Sequence, residues 1–211
     1  MSLHKLHFVV LFAGIWLLPK ANTLECYKCV PETSGGCNTK VQCPSQDNQC
    51  AAVKIIRYTG GSADNETKSK QCFQPGDCVG GSVSFGSQKT VIVSECCTTS
   101  QCNTKDPSGP KFNPNGKKCY SCEGQQCVRT ENCKNDEEYC IKSTINTGGT
   151  SQTLKGCASK TMCPEYASEF FKPFILQGSS CCQGDYCNSA SGASAGLLLL
   201  FVSLMFLVLL S

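Results

Sequence analysis

Between Leu24 and Asn188 the chain has no histidine and no tryptophan, because His4, His7 and Trp16 all precede that stretch. The missing histidine argues against an enzyme: a Ser or Cys nucleophile usually relies on an adjacent base, most often His. It also removes the commonest metal-ligating side chain. An excess of charge of one sign is missing too. Without Lys5 and Lys20, 17 of the chain's 19 basic residues remain against 16 acidic ones. That balance gives no net-charge argument for nucleic acid or anionic lipid. No glycine-rich phosphate loop, basic-aromatic patch or convincing helical period is present, apart from a possible turn near Pro164 to Phe171. The Asp136-Glu137-Glu138 run reads as a solvated face. No cofactor, metal or nucleic-acid partner is therefore expected.

Long apolar runs are confined to the two ends. In residues 1–23 a weakly basic start leads into eleven apolar residues, Phe8 to Leu18, and then to the small residues Ala21 and Thr23. This composition predicts a secretory signal peptide, the run being too short to cross a bilayer. At the other end, Leu197 to Leu210 is apolar except for Ser203. As a helix it would span roughly 21 Å, against a hydrocarbon core of about 30 Å. Small residues from Asn188 to Gly196 precede it, and no Lys or Arg follows. Residues 189–211 thus predict a glycosylphosphatidylinositol (GPI) attachment signal, with Asn188, Ser189, Ser191 and Gly192 as candidate attachment sites. The expected location is the extracellular face of the plasma membrane, with a lipid anchor as the membrane contact.

Cysteine is what the chain has in abundance, 20 in 211 residues. That density points to an oxidising compartment and a disulfide scaffold. The cysteines form two ladders. Cys26, Cys29, Cys37, Cys43, Cys50, Cys72, Cys78, Cys96, Cys97 and Cys102 step by 3, 8, 6, 7, 22, 6, 18, 1 and 5. Cys119, Cys122, Cys127, Cys133, Cys140, Cys157, Cys163, Cys181, Cys182 and Cys187 step by 3, 5, 6, 7, 17, 6, 18, 1 and 5. Seven of nine intervals agree, so one unit occurs twice. The expected domains are residues 24–103 and 118–188. The segment 104–117, with three prolines, two glycines and two asparagines, reads as a solvated, semi-extended linker. Domains this small bury little apolar surface and need staples. Runs rich in β-branched residues (52–58, 90–94 and 139–145) predict strands, and Gly60-Gly61, Gly80-Gly81 and Gly148-Gly149 predict turns. The fold class is all-β.

Leu24-Glu-Cys-Tyr-Lys-Cys29, the adjacent Cys96-Cys97, and the endings Cys102-Asn103 and Cys187-Asn188 carry a resemblance. The pattern resembles the three-finger domain family typified by lymphocyte antigen six (Ly-6) and the urokinase receptor. Ten cysteines alone allow roughly nine hundred pairings. The resemblance implies Cys26–Cys50, Cys29–Cys37, Cys43–Cys72, Cys78–Cys96 and Cys97–Cys102 in the first domain. In the second it implies Cys119–Cys140, Cys122–Cys127, Cys133–Cys157, Cys163–Cys181 and Cys182–Cys187. It also implies that Asn103 and Asn188 tie each domain's end to its first strand.

Binding to a protein ligand is the expected function, that of a surface receptor or modulator acting through finger loops. Inhibition of a secreted phospholipase is the alternative. Phe170, Phe171 and Phe174 are three of the six phenylalanines between Leu24 and Asn188. Clustered on one loop, they suit a partner hot spot, and suit equally a cover for the finger's own sheet or for domain one. Asn65-Glu66-Thr67 is a glycosylation sequon, expected at the tip of finger two in the first domain.

Overall fold

A computed structural model describes residues 23–29, 37, 39–123, 126–147 and 149–189. The segments carrying the leader and the apolar tail lie outside them, as do Ser191 and Gly192. In the first domain, finger one is β1 (Glu25–Lys28) and β2 (Thr39–Gln42), and finger two is β3 (Gln49–Thr59) and β4 (Ser62–Phe73). Finger three is β5 (Gly81–Phe85) and β6 (Gln88–Cys97). The second domain repeats this with β7 (Pro114–Glu123), β8 (Gln126–Lys134), β9 (Tyr139–Thr147), β10 (Thr150–Ala158) and a short β11 (Ser180–Cys182). All strand pairs are antiparallel, and the two first fingers stay as separate two-stranded sheets.

The remaining strands form one seven-stranded sheet that crosses both domains, in the order β11-β9-β10-β5-β6-β3-β4. Period-two patterning explains its sidedness. Ala51, Val53 and Ile55 of β3, Val83 and Phe85 of β5, and Ile92 of β6 share a face with Ala158 of β10 and with Tyr139 and Ile141 of β9. These residues, with Phe73, Met162 and Phe171, make one apolar core drawn from both ladders. Two units too small to bury enough surface alone thus pool their apolar faces.

The third fingers differ although both span an interval of 18. Residues 81–97 alternate and form a hairpin, whereas 163–181 carry Pro164 and Pro173, which donate no ladder hydrogen bond. A short 3-10 turn at Lys160–Met162 leads into that segment and another forms within it at Lys172–Phe174, and its three phenylalanines fold down on the shared core.

Two expectations need correction. Gly80-Gly81 is no turn: Gly81 opens β5, and a Cβ there would lie 2.4 Å from Thr161 Oγ1. Residues 104–117 are largely exposed, as expected of a linker, but not free of structure: Pro107 is fully buried and the strand β7 already starts at Pro114. Asp106 pairs with Lys68 (3.0 Å), and the Asn113 amide donates to Asn135 Oδ1 (3.0 Å).

Candidate functional site at the domain seam

The structure joins Cys26 to Cys50, Cys29 to Cys37, Cys43 to Cys72, Cys78 to Cys96 and Cys97 to Cys102. In the second domain Cys119 joins Cys140, Cys122 joins Cys127, Cys133 joins Cys157, Cys163 joins Cys181 and Cys182 joins Cys187. No bridge links the two ladders. The sulfurs that crowd together at Cys26, Cys43 and Cys72, and at Cys119, Cys133 and Cys157, are disulfide sulfurs. Beside each knot an asparagine closes the domain. Asn103 Nδ2 donates to the carbonyls of Tyr27 and Ala51, both at 2.9 Å, and its Oδ1 accepts from the Tyr27 amide at 3.0 Å. Asn188 makes the same bonds to Tyr120 and Ile141. Its side chain is therefore a buried closure, whereas Ser189, just after it, is exposed.

The phenylalanine cluster is not a free hot spot. Phe171 is fully buried, Phe170 packs edge-on against Phe73 of the first domain (centroids 4.7 Å apart), and Phe174 is half-buried beside Phe170. A loop without its own hairpin has to bury its aromatics somewhere, and the shared sheet face lies beneath it. Truncating a buried Phe costs about 3–5 kcal/mol, so lost binding in an alanine variant at Phe171 would report damage to the core. Asn65 is exposed on the edge strand β4, directly opposite Arg57, and so lies back from the Gly60-Gly61 tip.

The seam itself is built on few contacts, each specific. β5 and β10 pair at Ser84–Cys157 and Val83–Ala158. The Ser159 amide donates to the Ser82 carbonyl (2.9 Å), and the Ser82 amide donates to Ser159 Oγ (2.7 Å). Gly156 lets the strands meet, for a Cβ there would sit 1.7 Å from the Ser84 carbonyl oxygen. Glu137 is the second fastening. One carboxylate oxygen accepts from Ser82 Oγ (2.8 Å) and pairs with Lys89 Nζ (2.7 Å), both from the first domain. The other accepts from the Lys134 amide at 2.8 Å. With 1% of its surface exposed, Glu137 does not belong to a solvated face. The third fastening is Phe112, the linker's aromatic. Its ring meets Tyr58 edge-on at 5.2 Å and lies 4.7 Å from Lys89 Nζ and 5.5 Å from Lys134 Nζ.

Beside these fastenings opens a cleft of about 650 Å³. Finger two of the first domain gives it Tyr58, and the first finger of the second domain gives it Arg129, Thr130 and Glu131. Lys89, Phe112 and Lys134 line its floor. Burial raises the Glu131 pKa above its ordinary 4.5, with a hydrogen bond from the Gly86 amide offsetting part of the shift. A carboxyl whose pKa is raised on folding binds its proton more tightly in the folded state. Its contribution therefore favours folding at low pH and is lost as pH rises from 4.5 through the raised value. Glu131→Gln should accordingly be more stable than the parent at pH 7, and the gap should narrow towards pH 4.5. Melting temperatures of both proteins across that interval test this, and a constant gap would contradict it.

Sequence comparison agrees with this geometry in both halves. The u-PAR/Ly-6 domain profile matches residues 22–105, and the profile of snake toxins and toxin-like proteins matches residues 118–188. The chain belongs to the Ly-6/uPAR family. Among its relatives, the urokinase plasminogen activator surface receptor of Rattus norvegicus is 29% identical over 196 residues, covering 84% of this chain and 58% of that protein. The Mus musculus receptor is 29% identical over 194 residues, covering 83% and 58%. Ly6/PLAUR domain-containing protein 3 of Rattus norvegicus is 26% identical over 210 residues, covering 85% and 59%. The chain therefore spans under two thirds of the length of these relatives. In Ly-6/uPAR terms it is two tandem three-finger domains on a disulfide scaffold.

Composition and spacing did not single out Tyr58, Lys89, Glu131, Glu137 or Gly156. One usable signal was present: Phe112 is the lone aromatic in a stretch of Pro, Gly, Asn and Lys, where a solvated linker has no use for it.

Proposed function

We propose that this protein is a GPI-anchored cell-surface receptor or modulator that binds a protein ligand at the seam cleft and performs no catalysis. The observation that carries the reading is the cleft, walled by fingers of both domains and lined by Tyr58, Phe112, Arg129 and charged side chains. Aromatic and Arg side chains held on a rigid scaffold suit protein recognition. The relatives named as surface receptors support a binding role over a catalytic one. The leader at 1–23 and the tail at 189–211 route the chain to the outer face of the plasma membrane, without metal, cofactor or nucleic acid. A glycan on Asn65 would shield the outer edge of β4 towards the fingertip, away from the bridge that Lys70 makes to Cys29.

Chemical cross-linking of the full chain on living cells, in serum, tests the proposal. A captured membrane or matrix protein that is lost with Arg129→Glu supports a receptor with its site in the cleft. Capture of a secreted phospholipase whose activity then falls makes the protein an inhibitor instead. Capture unaffected by Arg129→Glu, Tyr58→Ala and Thr130→Arg alike removes the cleft as the site.

A further inference from the structure

The two repeats can be superposed residue by residue at the point where each chain leaves its domain, and they differ there in charge. In the first domain Lys70, two residues before Cys72, sends its ammonium to the carbonyl of Thr104, the residue after the closing Asn103 (2.5 Å). Ala52 lies directly opposite Lys70 on the neighbouring strand. Asp106, two residues beyond Thr104, supplies a carboxylate 3.9 Å from Lys70 Nζ. A carboxylate thus stands beside this exit lysine, shared with Lys68 at 3.0 Å.

In the second domain Lys155, two residues before Cys157, sends its ammonium to the carbonyl of Ser189, the residue after Asn188 (2.7 Å). The backbone device is the same. The residue opposite is now Lys142, so two cations occupy directly paired positions on one sheet face. The position matching Asp106 is Ser191. Lys155 has 8% of its surface exposed, and among the described residues no carboxylate lies within ion-pair distance of either ammonium. Asp185, close by in sequence, is engaged with Lys117 Nζ and the Lys118 amide. Like charges directly opposite on a sheet repel, and burial together with Lys142 lowers the Lys155 pKa. Besides the Ser189 carbonyl, Lys155 Nζ has the Tyr120 ring 5.9 Å away; a cation pair with no carboxylate beside it calls for an anion at the chain's exit.

We propose that Lys142 and Lys155 form a phosphodiester-binding site at the foot of the second domain. Two sources present that chemistry there. One is the ethanolamine phosphate bridge that a GPI anchor would place next to Ser189; the other is a phospholipid headgroup of the membrane below. The first rests on the anchor reading above. In either case the site fixes the stance of the second domain on the membrane: a diester held by two ammonium groups, one of them anchored to the Ser189 carbonyl, allows less swivel than a free peptide stalk.

Lys142→Ala is the informative variant, because it copies the residue that the first domain carries at this position and should fold. The full chain is displayed on cells and released with phosphatidylinositol-specific phospholipase C, which leaves the bridge phosphate on the protein. Its phosphorus-31 spectrum then holds the bridge diester and, as an internal reference, the inositol phosphate. The bridge resonance is expected to move between parent and variant while the reference stays. Release with no movement of the bridge resonance overturns the anchor source and leaves the anchor reading intact. Failure of release sinks the anchor reading, and the membrane source is then decided by adding inorganic phosphate to the purified full chain at constant ionic strength. Saturable binding weakened by about tenfold or more in Lys142→Ala, the loss of one charge-assisted contact, supports the site. Phosphate binding that is equal in the two proteins, or that never saturates, overturns it.

Discussion

Gly156→Ala is expected to part the two domains without unravelling either knot. The added methyl would sit 1.7 Å from the Ser84 carbonyl oxygen, a backbone atom that cannot rotate away. The strain can be relieved only by separating β10 from β5, which removes the Ser84–Cys157 and Val83–Ala158 pairs. Overpacking a tight site costs about 1–3 kcal/mol, enough to raise an opening equilibrium by roughly 5- to 150-fold. Lys111 is already exposed, but opening would release the linker around it, which is pinned where Phe112 is wedged against Tyr58 and Pro107 is buried. Tryptic cleavage after Lys111 should therefore accelerate by about tenfold or more in the variant, yielding two fragments that keep their own disulfides. Cleavage at the parent rate would show that the strands meet with more room than this geometry gives.

Glu137→Ala should be more damaging still. Its carboxylate gathers Ser82 Oγ, Lys89 Nζ and the Lys134 amide in a place with 1% exposure. Removing one partner of a buried pair leaves the other charge stranded, at about 3–5 kcal/mol. For a protein of this size that is roughly 6–20 °C in Tm. The loss should depend on Lys89. In the double variant Glu137→Leu with Lys89→Met no charge is left without a partner, and much of the stability should return. Equal melting of Glu137→Ala and the parent, or no recovery in the double variant, would contradict the assigned role.

Much of this architecture was legible because cysteine spacing is rigid information. A ladder that repeats in seven of nine intervals defines two units, and their β-branched runs define the central strands. What the sequence concealed lies where the two units meet. Gly156 resembles any glycine until the neighbouring carbonyl is known. Glu137 sits within an acidic run, and only the docking of Lys89 from the other unit makes burial affordable. Phe170, Phe171 and Phe174 looked equally like a hot spot or a cover. The decision lay in the two prolines, which deny that finger a hairpin and turn its rings onto a core shared with Phe73. Equal spacing between Cys78 and Cys96 and between Cys163 and Cys181 disguised two different fingers.

The two three-finger domains act as one body through a continuous sheet. Amide hydrogen exchange at Ser82 and Ser159 tests it most directly, because both amides donate only across the seam, at 2.7 and 2.9 Å. Protection close to that of the β3–β6 ladder is predicted. Exchange as fast as that of exposed loops, with β3 and β9 still protected, would mean two independent domains on a tether.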